Sequence, residues 1–166
     1  MSEPRLTVVV LEDDPGVRSA VVRDLEPFAA TVRIEEADTV DDAWAIVDEV
    51  MADEDLPALL LVDHGLPGRK GVDLLVEAWV DPRTSDSRKI LLTAEADQAA
   101  TIRAVNEGGL DHYIAKPWDP DVLRATVRKQ LTDFVLTTGT APDRHVDALD
   151  AERVAHLLGR EEQAAE

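Results

Sequence analysis

Short apolar segments of strand length recur along this chain and alternate with segments of helical periodicity. They lie at residues 6–11, 32–37, 59–62, 89–93 and 112–115. Four of them are strongly apolar, as strands buried on both faces are, whereas residues 32–37 alternate like an edge strand. Strands that alternate with helices pair in parallel and are covered by helices on both sides. The pattern therefore predicts an α/β fold, a three-layer sandwich around a five-stranded parallel sheet.

The predicted helices carry apolar residues at three- and four-residue spacing, the pattern of a core-facing stripe. The second helix begins with the capping pattern T-x-x-D, in which the hydroxyl of Thr39 accepts a backbone hydrogen bond. The third spans residues 71–80 and has Trp79 on its apolar stripe. The fourth and fifth are predicted at residues 96–106 and 120–136.

Composition limits the classes of function. The 166 residues are enough for one domain, and 35 acidic against 17 basic residues give a formal charge of −18. Such a charge opposes direct binding of nucleic acids or anionic membranes. The absence of cysteine excludes disulfides, thiolate metal sites and cysteine nucleophiles. Because the sequence shows neither an apolar membrane-span segment nor a signal-peptide pattern, a soluble cytoplasmic protein is expected.

Polar residues follow the predicted strands, at the edge where the carboxyl ends of parallel strands meet. They are Glu12, Asp13, Asp63, Thr93 and Lys116. Ligands of doubly wound sheets bind at this edge. Three ionised carboxylates share a small volume only if a cation offsets their repulsion. Carboxylate oxygens suit Mg²⁺, and Mg²⁺ beside a carboxylate nucleophile, a lysine and a hydroxyl is typical of a phosphoryl-transfer site.

Each of these residues also has a purely structural interpretation. An acid between a strand and a helix is most often an N-cap, which applies to Asp13 and to the neighbouring Asp14. Thr93 can equally cap the helix that follows it, and a lysine before a proline, such as Lys116, is usually a solvated loop residue. The phosphoryl-transfer interpretation therefore depends on these residues meeting at one edge.

Four segments resemble the signature segments of the response-regulator receiver domain of two-component signalling. They are VVVLEDDPGVR, LLLVDHGLPGRKG, ILLTAEA and HYIAKPW, in this order. The resemblance covers about residues 5–135 and implies a flavodoxin-like fold with strand order 2-1-3-4-5. It divides the chain into a receiver domain at residues 5–137 and, at residues 138–166, a linker with a short C-terminal helix or tail.

The resemblance implies a metal-assisted site around Asp63. This residue would be the phosphoryl acceptor and one ligand of Mg²⁺. Glu12, Asp13 and the backbone carbonyl of Gly65 would be the other protein ligands.

The same resemblance implies roles for three residues beyond the metal site. Lys116 would pair with the phosphoryl oxygens, and Thr93 would donate its hydroxyl to one of them after transfer. Tyr113 would be the switch residue whose rotamer follows the state of Thr93, with a half-buried core tyrosine as the alternative. Pro117 after the lysine suggests a cis peptide bond.

These expectations describe a stand-alone receiver. It would not be an enzyme, because it would promote only its own phosphorylation and dephosphorylation. A histidine kinase or phosphotransfer protein would supply the phosphoryl group, and a phosphorylation-driven interface would pass the signal to a downstream protein. A phosphorelay intermediate and an unphosphorylated adaptor are alternatives. An aspartate-nucleophile phosphatase is a remote one, because that family needs an Asp two residues after its nucleophile and Gly65 stands there.

The C-terminal residues allow two interpretations. One short helix from about Asp150 would carry Val154, Leu157 and Leu158 on its apolar face, which is too little for an independent domain. It is either a frayed tail or a docking or dimerisation helix. A homodimer would use this helix or the face made by the fourth helix, fifth strand and fifth helix.

Overall fold

Five strands alternate with five helices in the computed structural model, which describes residues 3–64, 69–94, 98–140 and 146–156. The strands are β1 (Leu6–Leu11), β2 (Arg33–Ala37), β3 (Leu56–Asp63), β4 (Arg88–Thr93) and β5 (His112–Ala115). The helices are α1 (Pro15–Asp24), α2 (Val40–Ala52), α3 (Gly71–Val80), α4 (Gln98–Glu107) and α5 (Pro120–Thr138). All neighbouring strands are parallel, in the order β2-β1-β3-β4-β5. The predicted α/β fold and its strand order are confirmed.

Two apolar layers cover the sheet, one on each face. Side chains alternate between the layers along each central strand, as in β3, where Leu59 and Leu61 face one layer and Leu60 and Val62 the other. The first layer packs under α1 and α5, and the second under α2, α3 and α4. The apolar strands are therefore buried on both faces, as their composition predicts.

The central strand β3 is longer than its apolar segment predicts. It begins at Leu56, whose backbone N–H donates to the carbonyl of Arg5 at 2.9 Å, and it ends with Asp63 itself. Pro57 lies within it beside a register irregularity, where a missing donor is tolerated. The sequence pattern misses this start because the pairing with β1, not apolar content, extends the strand.

Helix α3 has the predicted bounds, but the prediction that Trp79 lies on its buried stripe is wrong in part. The side chain is 50% exposed. One face of the indole packs against Gly109, whose φ is +61° and where an added Cβ would lie 2.1 Å from the ring. The Lys89 ammonium lies 5.5 Å from the ring centroid. Trp79 therefore covers the end of the helix and does not enter the core.

The described part of the C-terminal segment packs against α5. Residues 151–156 are helical, and Ala148, Leu149 and Val154 are buried in the layer under α1 and α5. The backbone N–H of Asp150 donates to the hydroxyl of Thr132 at 2.9 Å. This part of the segment is packed against the domain and is not an extended tail, and dimerisation through it stays a prediction. Leu157 and Leu158 lie outside the described residues, as do the predicted first residues of α4.

None of the helices in the described ranges combines the length and the apolar content that crossing a bilayer would require.

Candidate functional site at the carboxyl edge of the sheet

The carboxyl ends of the strands, which we call the carboxyl edge, bring the predicted acids together. Leu11 pairs with Val62 in the β1–β3 register, so Glu12 and Asp63 extend the same edge side by side. Both are almost fully buried, with 2% and 5% of their surface exposed. Asp13 is half-buried next to them.

Lys116 connects this acidic pair to the end of β4. Its backbone N–H donates to the carbonyl of Thr93 at 2.9 Å, which aligns the end of β5 with that of β4. Its ammonium donates to the Asp63 carboxylate at 2.5 Å and to Glu12 at 3.4 Å. The peptide bond between Lys116 and Pro117 is cis, as the sequence suggests. The structure therefore brings Lys116 to Asp63 and Glu12, which lie 53 and 104 residues before it in the sequence.

The electrostatics of the edge show an excess of negative charge. Burial and the charge of Asp63 raise the pKa of Glu12, although the Asp14 backbone N–H and Lys116 act against the shift. Burial acts to lower the pKa of Lys116, but its hydrogen bond and charge interaction with Asp63, helped by Glu12, raise it. One ammonium therefore does not neutralise the carboxylates around it.

The carboxylates fit a magnesium ion. Glu12, Asp13 and Asp63 each offer an oxygen, and these oxygens all lie within 4.8 Å of one another. Hard oxygen ligands of this kind suit Mg²⁺, which is usually held by one or two carboxylates and several waters. Gly65, whose carbonyl the resemblance adds to the ligands, lies outside the described residues.

Asp14, the third acid of the E-D-D sequence, has a structural position. Its carboxylate accepts from the backbone N–H groups of Gly16 at 2.8 Å and Val17 at 3.1 Å, so it caps α1. The capping interpretation therefore holds for Asp14, whereas Asp13 lies in the acidic cluster.

Thr93 and Tyr113 border one groove beside the acidic cluster. The groove has a volume of about 360 Å³ and is lined by Thr93, Ala94, Gln98, Thr101, Tyr113 and Ala115. The Thr93 hydroxyl donates to the carbonyl of Ala94 at 3.1 Å and lies 3.5 Å from the hydroxyl of Thr101. Tyr113 is 56% exposed, so the alternative of a half-buried core tyrosine is wrong. The side chain thus lies at the surface and lines the groove that Thr93 also borders.

Two residues that position the site were not predicted. Gly71 begins α3 so close to β3 that an added Cβ would lie 2.0 Å from the carbonyl oxygen of Asp63, and only glycine fits there. Arg18 on α1 donates to the carbonyl of Glu12 at 2.8 Å. A glycine before an apolar helix was visible in the sequence, but nothing local showed that it would touch the end of β3.

A doubly wound parallel sheet with an acidic cluster and a lysine at its carboxyl edge defines a class of α/β domain suited to cation-assisted phosphoryl chemistry. Comparison with known proteins specifies the family. Residues 8–128 match the family described as the response regulator receiver domain. The chain belongs to this family, and the resemblance of its four signature segments is confirmed.

The named proteins that are similar to this chain are longer than the region that aligns with it. The hydrogenase transcriptional regulatory protein HoxA of Cupriavidus necator is 32% identical over 129 residues, which are 78% of this chain and 25% of that protein. The phosphate regulon transcriptional regulatory protein PhoB of Pseudomonas aeruginosa is 30% identical over 125 residues, which are 75% of this chain and 51% of that protein. The chain therefore spans about half or less of the length of these relatives.

Solved structures show the same fold. A CheY-like response regulator receiver domain protein from Methanospirillum hungatei superposes with a TM-score of 0.67 at 23% identity, over 81% of this chain and 99% of that one. The signal receiver domain of an HD domain-containing protein from Pseudomonas fluorescens gives a TM-score of 0.71 at 20% identity, over 85% and 97% of the two chains.

Proposed function

We propose that this receiver domain accepts a phosphoryl group on Asp63 from a histidine kinase or a phosphotransfer protein, with Mg²⁺ held by Glu12, Asp13 and Asp63. The observation that carries the proposal is the contact of the Lys116 ammonium with Asp63 at 2.5 Å inside a cluster of three carboxylates. A nucleophile, a cation site and a fixed ammonium are the parts that phosphoryl transfer requires.

The transfer exchanges one bond to phosphorus for another. A carboxylate oxygen of Asp63 forms a P–O bond while the P–N bond of the donor phosphohistidine breaks, and the donor imidazole leaves with the bonding electrons. A bound Mg²⁺ supplies positive charge that stabilises the phosphoryl oxygens. Lys116, already beside Asp63, orients the acceptor before transfer and pairs with a phosphoryl oxygen after it. The burial of Asp63 limits access by water.

The added phosphoryl group changes the charge and the hydrogen bonds at the edge. It brings close to two negative charges and new acceptor oxygens. Thr93 now donates to the Ala94 carbonyl, and we propose that its hydroxyl turns toward a phosphoryl oxygen instead. Tyr113, which lines the same groove, would follow into the vacated space and change the surface of α4, β5 and α5.

The proposed output is a protein contact, with no reaction catalysed on another substrate. The named relatives extend beyond the matched region, so the matched region alone gives no reason to propose their output activities for this chain. We predict that the receiver acts without an output domain. The molecular mass of the protein isolated from its native host tests this, because an attached output domain would increase it.

The test uses beryllofluoride, which mimics an aspartyl phosphate, titrated with Mg²⁺ while backbone amide NMR spectra are recorded. Wild type should show Mg²⁺-dependent shifts at the carboxyl edge, and Asp63→Asn should show none with beryllofluoride. Asp14→Asn is the matched control, because it removes a neighbouring charge while keeping a good helix cap, and it should respond like wild type. An Asp63→Asn variant that responds as wild type does, or a wild type without Mg²⁺ dependence, would sink the proposal.

A further inference from the structure

Asp24 is a buried carboxylate outside the phosphorylation site. It is the last residue of α1 and is only 6% exposed. The negative end of the helix dipole makes this an unfavourable position for an acid, and burial adds a desolvation cost. Its environment must therefore compensate the charge.

The close partner of Asp24 is Trp118. The indole N–H of Trp118 donates to the Asp24 carboxylate at 2.8 Å across 94 residues of chain. The Arg23 guanidinium is farther from the carboxylate, at 3.7 Å, and its side chain is 73% exposed, so it contributes little. The indole N–H is thus the contact that fixes the direction of the Asp24 side chain.

Trp118 lies in the connection that carries Lys116. This connection is short, because β5 ends at Ala115 and Asp119 already caps α5. The Trp118 ring packs on the apolar layer under α1 and α5. Beyond the connection, Arg124 of α5 donates to the backbone carbonyl of Asp24 at 3.3 Å. Helix α5 therefore contacts the same end of α1.

We propose that the hydrogen bond between Asp24 and Trp118 is a positioning contact for the phosphorylation site, which holds the connection so that the Lys116 ammonium stays at Asp63. The packing of the Trp118 ring on the apolar layer holds the connection against the core. The hydrogen bond from its N–H to Asp24 fixes the orientation of the ring, and so limits movement of the backbone that carries Lys116. An ammonium that lies an ångström or so out of place loses much of its value to a reacting group. This inference rests on the proposed function, since it concerns the same lysine.

Trp118→Phe tests the contact because it keeps an aromatic ring and removes the N–H. At fixed Mg²⁺, we expect it to weaken beryllofluoride binding about fivefold, the effect of one ordinary hydrogen bond. Trp44→Phe is the matched control, since it also removes an indole N–H that donates to a carboxylate, that of Glu77 at 3.0 Å on α3. It should leave beryllofluoride affinity unchanged.

Repeating Trp118→Phe in a Lys116→Met background separates positioning from a general structural effect. If Trp118 acts through Lys116, the second substitution causes no further loss of affinity in that background. Equal losses in both backgrounds would overturn the inference.

Substitutions of Asp24 test the same hydrogen bond from its acceptor side. Asp24→Leu should reproduce the loss seen in Trp118→Phe, whereas Asp24→Asn keeps an acceptor oxygen and should restore most of the affinity. Urea unfolding of each variant checks that it is folded, and Asp24→Leu decides the matter if Trp118→Phe does not fold. A wild type without a beryllofluoride response defeats the proposed function, whereas variants that bind as tightly as wild type defeat only the positioning contact.

Discussion

Both edges of the sheet bury an acid, but the two acids have opposite surroundings. At the carboxyl edge, Glu12 lies beside Asp63 with one ammonium for both, and burial and this neighbour raise its pKa. At the amino-terminal ends of the strands, the amino edge, Asp55 accepts from the Arg5 backbone at 2.8 Å and from the Arg33 guanidinium at 3.1 Å. Burial acts to raise the pKa of Asp55, but these donors and charges lower it.

The lysines of the two edges, the half-buried Lys116 and the buried Lys89, differ in the opposite sense to the acids. Lys116 at the carboxyl edge has carboxylates as partners, which raise its pKa against the effect of burial. Lys89 at the amino edge is fully buried, and its ammonium donates to the backbone carbonyls of Ser87 at 2.6 Å and Thr84 at 3.3 Å. Burial lowers the pKa of Lys89 to about 8.

The comparison of the two acids shows which of them the fold itself compensates. At the amino edge, cations and donors match the buried Asp55, so its ion pairs stabilise the fold. At the carboxyl edge, negative charge exceeds positive charge. A cation that binds there would therefore lower the free energy of the folded state. A cluster of carboxylates without enough positive charge is the property that distinguishes the carboxyl edge from the surroundings of Asp55.

The largest expected effect is a pH dependence from Lys89. Its pKa in the folded protein is about 8 against an ordinary 10.5, so between these values the unfolded chain binds more protons and stability rises with pH. The rise is about 3 kcal/mol in the free energy of unfolding. Urea unfolding at several pH values, compared between wild type and Lys89→Met, isolates this slope from other groups. Parallel curves for the two proteins would mean that Lys89 keeps its ordinary pKa.

The next effect concerns the acid of the amino edge. Asp55→Asn should lower the free energy of unfolding at pH 7 by about 2 kcal/mol, because Arg33 and Arg5 lose their buried counter-charge. Asp53→Asn is the control, since Asp53 pairs with the same Arg33 but is 59% exposed, and it should cost less than about 0.5 kcal/mol. Equal losses in the two variants would show that burial does not matter at this edge.

The smallest effect has the opposite sign. Glu12→Gln should raise the free energy of unfolding by about 1 kcal/mol without Mg²⁺, because the folded protein favours the uncharged form of this side chain. Adding Mg²⁺ should stabilise wild type more than the variant, since the variant lacks one of the three proposed ligand carboxylates. Thermal unfolding with and without the ion measures both changes. A loss of stability in Glu12→Gln without Mg²⁺ would remove the contrast between the edges.

The architecture followed from local patterns in the sequence. β1 and β5 have the predicted bounds, α3 spans Gly71–Val80 as predicted, and Thr39 caps α2 through a hydrogen bond from the Asp42 backbone at 3.0 Å. These features depend on apolar periodicity and capping, which involve residues close in sequence. The position of the acids and the lysine at one edge also followed, because parallel strands place their carboxyl ends together.

Contacts between distant residues were not predictable in this way. The bond between Asp24 and Trp118, the ion pairs of Asp55 and the fit of Gly71 against Asp63 each join elements that the sequence separates. Nothing in the local pattern around Trp79 indicated that its ring would cover Gly109 and remain half exposed.

The sequence by itself determined the alternation of strands and helices and the residue types at the ends of the strands, because both are written in short-range patterns. Only the tertiary structure decided which buried acids are compensated. Burial acts to raise the pKa of both Glu12 and Asp55, but the donors and charges around Asp55 outweigh this effect and those around Glu12 do not. The reason is that a pKa responds to the charges and donors within a few ångströms, and folding, not sequence order, chooses those neighbours.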